Sequence, residues 1–334
     1  MTMKYTDNAL NILTAKSYKG IGNAWIIKNL GKKESIESIV RLINKVVKCE
    51  PTTVEEFENL KRKYESAIVK KMSGYCDGFI ALGDENFPEH RGSVKDSEKP
   101  VFLYYKGNID LLSQSNKNIS VIGLLNPTID IEIREKKIVS QLVKNGATIV
   151  SGLALGCDSI SHREALHSNG NTIAILPSPL TKVQPAANVS LAFQIVEEGG
   201  LLITEYGNDF KSKMELNTRY KERDRLQALF CDTIVLVASY SKKSSERWEQ
   251  LKGQKLDSGA RLAMEYAKEY NIPRAVMYDE YADKENPMFD LCREIIQEAK
   301  DVTVITQDNY VDTAKSILLN KTKVKHRKEE SLFD

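Results

Sequence analysis

The chain has 334 residues, of which 41% are hydrophobic and 28% charged, as in a globular protein of one large or two to three small domains. Its 48 basic and 46 acidic residues give a net charge of +2, so no whole-molecule field attracts nucleic acid. Without an apolar run near the ~18 residues that cross a bilayer, an apolar signal core or a Cys-x-x-Cys pair, we expect a cytoplasmic protein with no membrane segment and no metal site.

The first 73 residues are predicted to be helical. Apolar spacing predicts helices over residues 8–14, 23–30, 35–48 and 53–72. Between the first two lies Gly20-Ile21-Gly22, a turn that exposes the amino end of the next helix. Helix-hairpin-helix modules hold a phosphate backbone with such a turn, although a plain connection between helices fits equally well. We therefore predict a small helical domain at residues 1–73.

After residue 74, short apolar runs alternate with amphipathic helical segments. The predicted strands cover residues 78–82, 101–105, 119–123, 147–151, 172–176, 201–205, 233–238, 275–278 and 302–306. Strands that alternate with helices predict an α/β fold with a mainly parallel sheet covered on both faces. Ligands of such sheets bind beyond the carboxyl ends of the strands.

The most informative segment runs from the strand at 147–151 into the next helix. The strand stops at Ser151-Gly152, the loop contains a second glycine, Gly156, and a helix is predicted to restart at Asp158, which can cap it. Glycines let backbone N–H groups approach a ligand, and a helix amino end favours negative charge, so the turn suits phosphate. An empty structural turn, with Asp158 as a plain cap and His162 paired to it, fits the motif equally well.

Basic residues are predicted near the same edge of the sheet. Arg223 and Arg225 stand two apart at a predicted helix start, where their guanidinium groups are expected to bracket the crevice. Ion pairs with Glu222 or Glu205 are the alternative. Lys182 lies on a loop within reach of the crevice, although a solvated lysine is the simpler interpretation.

In this order the motifs resemble the DNA-processing protein A (DprA/Smf) family. The resemblance spans residues 74–306 and includes the Ser151-Gly152 loop, the Gly170-Asn171-Thr172 strand, a Gly-Leu-Leu strand ending at Glu205, the Arg223-Asp224-Arg225 helix start and a Ser258-Gly259 helix start. It implies an extended Rossmann-like domain at 74–309, a homodimer, binding of single-stranded DNA in DNA processing, uptake or recombination, and delivery of a RecA-type recombinase.

Motifs and resemblance together define the predicted site. The predicted phosphate-binding residues are Gly123, Ser151, Gly152, Gly156, Lys182, Arg223, Arg225, Ser258 and Gly259, and the predicted cap or pocket residues are Asp158, His162 and Glu205.

The chain also departs from the family pattern. Gly123-Leu124-Leu125-Asn126-Pro127 replaces a polar Ser-Arg pair after the first parallel strand, which removes a donor and a charge. Pro177-Ser178-Pro179 replaces glycines. No winged-helix domain is expected after Thr306, and residues 310–334 are predicted to form a short helix and a basic tail.

Two functional hypotheses follow. The first is a non-enzymatic binder of single-stranded DNA, with Tyr206, Phe210, Tyr220 and Trp248 as candidate stacking rings. The alternative is a nucleotide sensor or a nucleotide-processing protein. Hydrolysis is disfavoured because residues 256–261 lack the Pro-Gly-Gly-x-Gly-Thr-x-x-Glu loop of such enzymes. The chain has no recognisable catalytic triad and no Walker motif, so no catalytic residue and no cofactor is predicted.

Overall fold

The computed structural model describes residues 3–46, 50–256, 259–299 and 301–319. The α-helices in these ranges are α1 (Asp7–Lys16), α2 (Asn23–Asn29), α3 (Ile36–Ile43), α4 (Val54–Met72), α5 (Ile129–Lys144), α6 (Cys157–His167), α7 (Val189–Glu197), α8 (Lys213–Leu229), α9 (Ser244–Arg247), α10 (Gly259–Glu269), α11 (Glu280–Asp283), α12 (Asp290–Glu298) and α13 (Tyr310–Leu319). The strands are β1 (Gly78–Ala81), β2 (Phe102–Gly107), β3 (Lys117–Ile122), β4 (Ala147–Ser151), β5 (Thr172–Ile175), β6 (Leu201–Thr204), β7 (Thr233–Leu236), β8 (Arg274–Met277) and β9 (Thr303–Ile305).

These strands form one sheet in the order β1-β2-β6-β5-β4-β3-β7-β8-β9. The pairs β1/β2 and β2/β6 are antiparallel, and every other neighbouring pair is parallel. The predicted α/β class and all nine predicted strands are confirmed, with no end shifted by more than two residues. From β3 the chain builds toward β6 on one side and from β7 toward β9 on the other. The carboxyl ends of β3 and β7 therefore frame the topological switch point, where open α/β sheets bind ligands.

The central strands have apolar residues on both faces because helices cover both faces of the sheet. In β7, Ile234, Val235 and Leu236 are all fully buried, which explains a continuous apolar run rather than an alternating one. Helix α5 buries the stripe that contains Ile131 and Ile138 against this sheet. No helix among the described residues is both long and apolar enough to cross a bilayer.

Helices α1 to α4 pack against the antiparallel end of the sheet. A shared hydrophobic cluster contains Leu10 and Phe57 from the helices and Phe79 and Phe102 from β1 and β2. The ring of Tyr5 stacks on Phe79 with centroids 4.8 Å apart, and Phe102 lies 5.4 Å from the same ring. The regions before and after residue 73 thus share one hydrophobic cluster. The predicted domain boundary at residue 73 stays a prediction.

Helix α3 ends earlier than predicted, at Ile43 rather than at residue 48. At this end the side-chain amide of Asn44 donates to the carbonyl of Thr52 at 2.8 Å and accepts from the Thr52 amide at 2.9 Å. These bonds tie the end of α3 to Thr52, which directly precedes the N-cap of α4. There Thr53 and Glu56 form a reciprocal capping box.

We expect Phe79→Ala to lower the free energy of unfolding by about 3 to 5 kcal/mol, because it removes a fully buried ring between α1 and the sheet. Urea denaturation followed by circular dichroism measures the change. Tyr281→Ala is the control, since Tyr281 is fully exposed and its loss is expected to stay within about 0.5 kcal/mol. Equal midpoints for the two variants would contradict the shared core.

Candidate functional site

The glycine loop between β4 and α6 is closed by a carboxylate of the protein itself. Asp158 Oδ2 accepts from the backbone amides of Gly152 at 3.1 Å and Ala154 at 3.2 Å. Helix α6 begins at Cys157 with Gly156 as its N-cap. The prediction that Asp158 caps the helix is therefore wrong, and so is the prediction that these amides are open to phosphate. Asp158 occupies the place predicted for the anion.

The glycines of the loop allow close packing of the protein on itself. A Cβ on Gly152 would overlap the guanidinium of Arg223, and one on Gly156 would overlap the carbonyls of Leu124 and Leu125. Gly156 also has φ +68°, which favours glycine. The glycine spacing is thus explained by internal contacts.

Two other predicted phosphate residues of the turns are likewise engaged within the protein. The hydroxyl of Ser151 is buried and donates to the carbonyl of Val121 at 2.7 Å, which ties β4 to β3. Gly123 faces Cys157, whose sulfur would lie 2.6 Å from an added Cβ.

Arg223 is buried above this loop. Its Nη1 lies 3.7 Å from Asp158 Oδ2, and its Nε lies 3.3 Å from Asp224 Oδ1. With the Gln227 amide oriented so that its oxygen accepts, that oxygen lies 2.7 Å from Arg223 Nη1 and 3.1 Å from the Gly152 amide. Burial raises the pKa of Asp158, and the guanidinium of Arg223 opposes this shift.

Arg225 is buried in a second ion pair. Its two terminal nitrogens donate to both carboxylate oxygens of Glu205 at 2.7 and 2.8 Å, and its Nε donates to the carbonyl of Glu98 at 2.8 Å. The ion-pair alternative is confirmed for Arg225 and Glu205. The prediction that both guanidinium groups face the crevice is wrong. Lys16, near the end of α1, lies close to this pair, and burial lowers its pKa while Glu205 opposes the shift.

His162 is fully buried under the loop. Its Nδ1 lies 2.6 Å from Thr172 Oγ1, and the Thr172 hydroxyl donates to the carbonyl of Ile149, so Thr172 accepts from Nδ1–H. Burial lowers the pKa of His162 to about 3, which keeps the imidazole neutral. The predicted pairing of His162 with Asp158 is wrong, because Thr172 takes that role.

Sequence reasoning missed Glu135, a fully buried carboxyl group on α5. Its Oε1 accepts from the Ser161 hydroxyl at 2.7 Å, and burial raises its pKa to about 8. The sequence did contain a signal. Glu135 stands four residues after Ile131 and three before Ile138, on the stripe that faces the core.

Cationic side chains and aromatic rings meet at the carboxyl ends of β5 and β6, where Lys182 is exposed and Arg219 is buried. The ammonium of Lys182 lies 4.8 Å from the ring centroid of Phe210, and the guanidinium of Arg219 lies 4.4 Å from that of Tyr206. Arg219 also donates to the carbonyl of Asn208 at 2.7 Å, which fixes the loop that carries both rings. We define the aromatic–basic surface as Lys182, Tyr206, Phe210, Lys211, Lys213, Tyr220 and Lys221, whose lysines are exposed and whose rings are half-buried.

The remaining predicted residues lie apart from this surface or outside the described residues. Trp248 donates its indole N–H to Asp290 at 2.8 Å, so this ring is engaged elsewhere. Gly259 is exposed at the start of α10, which packs against α8. Ser258 and the basic tail at 321–328 lie outside the described residues. Among those that are described, no group of three or more His, Cys, Asp and Glu side chains is placed to hold a metal ion.

The fold and its switch point define the class as an extended Rossmann-like α/β protein whose parallel sheet carries two added antiparallel strands. The family model for DNA recombination-mediator protein A matches residues 78–246, about half of the chain. The chain belongs to this family, which confirms the resemblance seen in its sequence.

Individual relatives agree with this assignment. The chain is 31% identical to protein Smf of Synechocystis sp. over 195 residues, which cover 58% of this chain and 44% of that protein. It is 26% identical to the DNA processing protein DprA of Streptococcus pneumoniae over 296 residues, which cover 86% of this chain and 93% of that one. The match thus spans less than half of the Synechocystis relative and nearly all of the pneumococcal one.

Two solved structures share the fold. DprA of Streptococcus pneumoniae superposes with a TM-score of 0.66 at 23% identity, covering 93% of this chain and 98% of that one. DNA processing protein A of Helicobacter pylori, solved to examine its single-stranded DNA binding mode, gives a TM-score of 0.56 at 24% identity, covering 73% of this chain and 97% of that one.

We expect Glu205→Gln to lower the free energy of unfolding by about 3 kcal/mol, because it leaves the buried Arg225 guanidinium without its opposite charge. Thermal and urea denaturation measure the loss. Glu249→Gln is the matched control, since Glu249 and Lys252 form an exposed pair that contributes less than about 1 kcal/mol. A loss no larger than that of the control would show that the Arg225 pair is dispensable.

The stability of the protein is expected to fall as pH rises from 6.5 to about 8. The folded-state pKa of Glu135 is raised from 4.5 to about 8, so its contribution is complete below pH 4.5 and is lost as pH rises through 8. The expected slope is about 1.4 kcal/mol per pH unit. His162, whose folded-state pKa is lowered from 6.5 to about 3, adds a loss of stability only on acidification below 6.5.

Urea denaturation at several pH values tests this slope. Glu135→Gln is expected to abolish it between pH 6.5 and 8, whereas Glu132→Gln, a partly exposed position on the same helix, is expected to retain it. A Glu135→Gln protein that keeps the slope of the unmodified chain would exclude Glu135 as its source.

Proposed function

We propose that the protein binds single-stranded DNA through the aromatic–basic surface and acts as a recombination mediator without chemistry of its own. The observation that carries the proposal is the set of half-buried rings beside exposed lysines at the carboxyl ends of β5 and β6, in a chain of this family. The Helicobacter pylori protein with a single-stranded DNA binding mode shares the fold, which supports the same assignment.

The chemistry of the surface suits a single strand without sequence preference. Such binding combines cations that follow the phosphates with aromatic rings on which bases stack. Tyr206 and Phe210 are held by neighbouring cations, so little side-chain entropy is lost when a base stacks on them. Lys211, Lys213 and Lys221 extend into solvent around the rings, where phosphates can reach them.

The buried arginines have a positioning role in this proposal. Arg225 joins α8 to Glu205, which directly precedes the loop that carries Tyr206. Arg223 joins the same helix to Asp158 in the turn after β4. The two arginines then affect binding only by fixing the positions of these loops. The exposed lysines contact the phosphates.

Membership of the family adds three further parts to the proposal. We propose that the protein works in the cytoplasm, that two copies associate, and that the bound strand is passed to a RecA-type recombinase. Light scattering tests the association. Strand exchange with purified recombinase, with and without this protein, tests the transfer.

Fluorescence anisotropy with a labelled thymidine oligonucleotide, measured across salt concentrations, tests the binding. We expect Lys182→Gln combined with Lys221→Gln to weaken binding and to reduce the log-log salt slope by about 1.4, since each phosphate contact on a single strand contributes ~0.7. Lys144→Gln combined with Lys268→Gln is the control, because both lysines are exposed near the amino edge of the sheet.

A salt slope near zero, or a site variant that binds like the control, would overturn the proposal. Free nucleotides serve as competitors in the same assay. Displacement of the oligonucleotide by equimolar mononucleotide would favour the nucleotide-sensor alternative.

A further inference from the structure

Helix α4 turns a basic side toward solvent. Of its 19 residues, only Phe57 and Met72 are buried, so much of the helix surface is exposed. Lys63 and Lys70 stand seven residues apart, which places them on the same side of the helix, about 10.5 Å apart along its axis. We name the α4 face as four exposed residues on this side: Lys63, Ser66, Ala67 and Lys70.

Neither lysine of this face is neutralised by its own helix. A helix macrodipole favours cations only in the last turn, which accounts for Lys70 but not for Lys63, nine residues before the helix ends at Met72. No acidic residue stands three or four positions from either lysine, where a helical ion pair would form. Among the residues that the structure describes, no carboxylate pairs with either ammonium group, so both can bind an external anion.

The α4 face adjoins the aromatic–basic surface. Lys71, which follows Lys70, pairs with Asp209 at 3.3 Å. Asp209 directly precedes Phe210, one of the rings of that surface. Helix α4 also lies against the turn Leu180–Lys182, whose last residue is another member of the surface. A nucleic acid that extends from the aromatic–basic surface toward α4 therefore reaches the α4 face directly.

We propose that the α4 face binds the phosphate backbone of duplex DNA next to the single strand, so that the protein holds a junction between the two. The inference rests on the proposed function and adds a second surface and a second form of the ligand. A single strand gains affinity from base stacking, and the α4 face has no ring on which a base could stack. A duplex offers no free base faces and carries one charge per ~1.7 Å, twice the density of one strand, so it suits a face of cations alone.

The shape of the α4 face also suits a duplex. Between the two lysines stand Ser66 and Ala67, whose short side chains let a wide ligand approach the helix until both ammonium groups reach it. The distance of about 10.5 Å between the lysines along the helix axis is close to the ~12 Å width of the major groove. Lys63 and Lys70 can therefore contact phosphates on the two sides of one groove. Such contacts position a duplex without reading its sequence.

The test compares a thymidine oligonucleotide with the same oligonucleotide joined at either end to a hairpin duplex. By fluorescence anisotropy, we expect the unmodified protein to bind a tailed hairpin about five- to tenfold more tightly than the oligonucleotide alone. Lys63→Gln combined with Lys70→Gln is expected to abolish this gain and to lower the salt slope for the tailed hairpin by about 1.8, since each duplex phosphate contributes ~0.9. Its affinity for the oligonucleotide alone is expected to stay unchanged. Lys144→Gln combined with Lys268→Gln is the control, because these exposed lysines lie near the amino edge of the sheet, and it is expected to keep the gain.

The outcomes separate this inference from the proposed function. If the unmodified protein does not bind the oligonucleotide, the proposed function fails and the inference fails with it. If it binds the oligonucleotide but binds neither tailed hairpin more tightly, or if the variant of Lys63 and Lys70 keeps the gain, the inference is overturned and the proposed function stands. A variant that loses equal affinity for the oligonucleotide and the tailed hairpins would place the single strand on α4 and would also overturn the inference.

Discussion

The bond between the Asp158 carboxylate and the amides of Gly152 and Ala154 determines the arrangement of the carboxyl edge. The carboxylate closes the turn after β4 and provides the charge that Arg223 faces from α8. Helix α8 in turn carries Arg219, which lies over the ring of Tyr206. Asp158, Arg223 and α8 therefore connect the turn after β4 to the loop that carries Tyr206 after β6.

This arrangement has an energetic cost that the fold must offset. Removing the charges of Arg223 and Arg225 from water is unfavourable, and their ion pairs recover that cost only with good geometry. Both oxygens of Glu205 meet the Arg225 guanidinium at hydrogen-bond distance, and the Glu98 carbonyl takes a third donor. Such networks restrict the backbone to one arrangement. An edge held in this way would lose little conformational freedom on binding the proposed strand.

Most of the fold could be predicted from the sequence because the buried strands are short apolar runs between helices, as in β7. The site was harder to predict for a chemical reason. A carboxylate satisfies backbone amides as a phosphate does, so the spacing of Gly152, Gly156 and Asp158 cannot distinguish an internal anion from a bound one. The engagement of Trp248 could not be predicted either, because the acceptor of its indole N–H, Asp290, lies 42 residues away in the sequence. Tyr206 and Phe210 were identifiable because they stand among lysines on a loop.

The stacking of Tyr5 on Phe79 links the segment before β1 to the core of the sheet. The family match begins at residue 78, the point at which a shortened chain would most naturally start. A chain cut there would leave the rings of Phe79 and Phe102 facing water and would remove Lys16 from its position beside Glu205 and Arg225. The leading helices thus cover the antiparallel end of the sheet. A fragment that began at the family boundary would lack part of its own hydrophobic core.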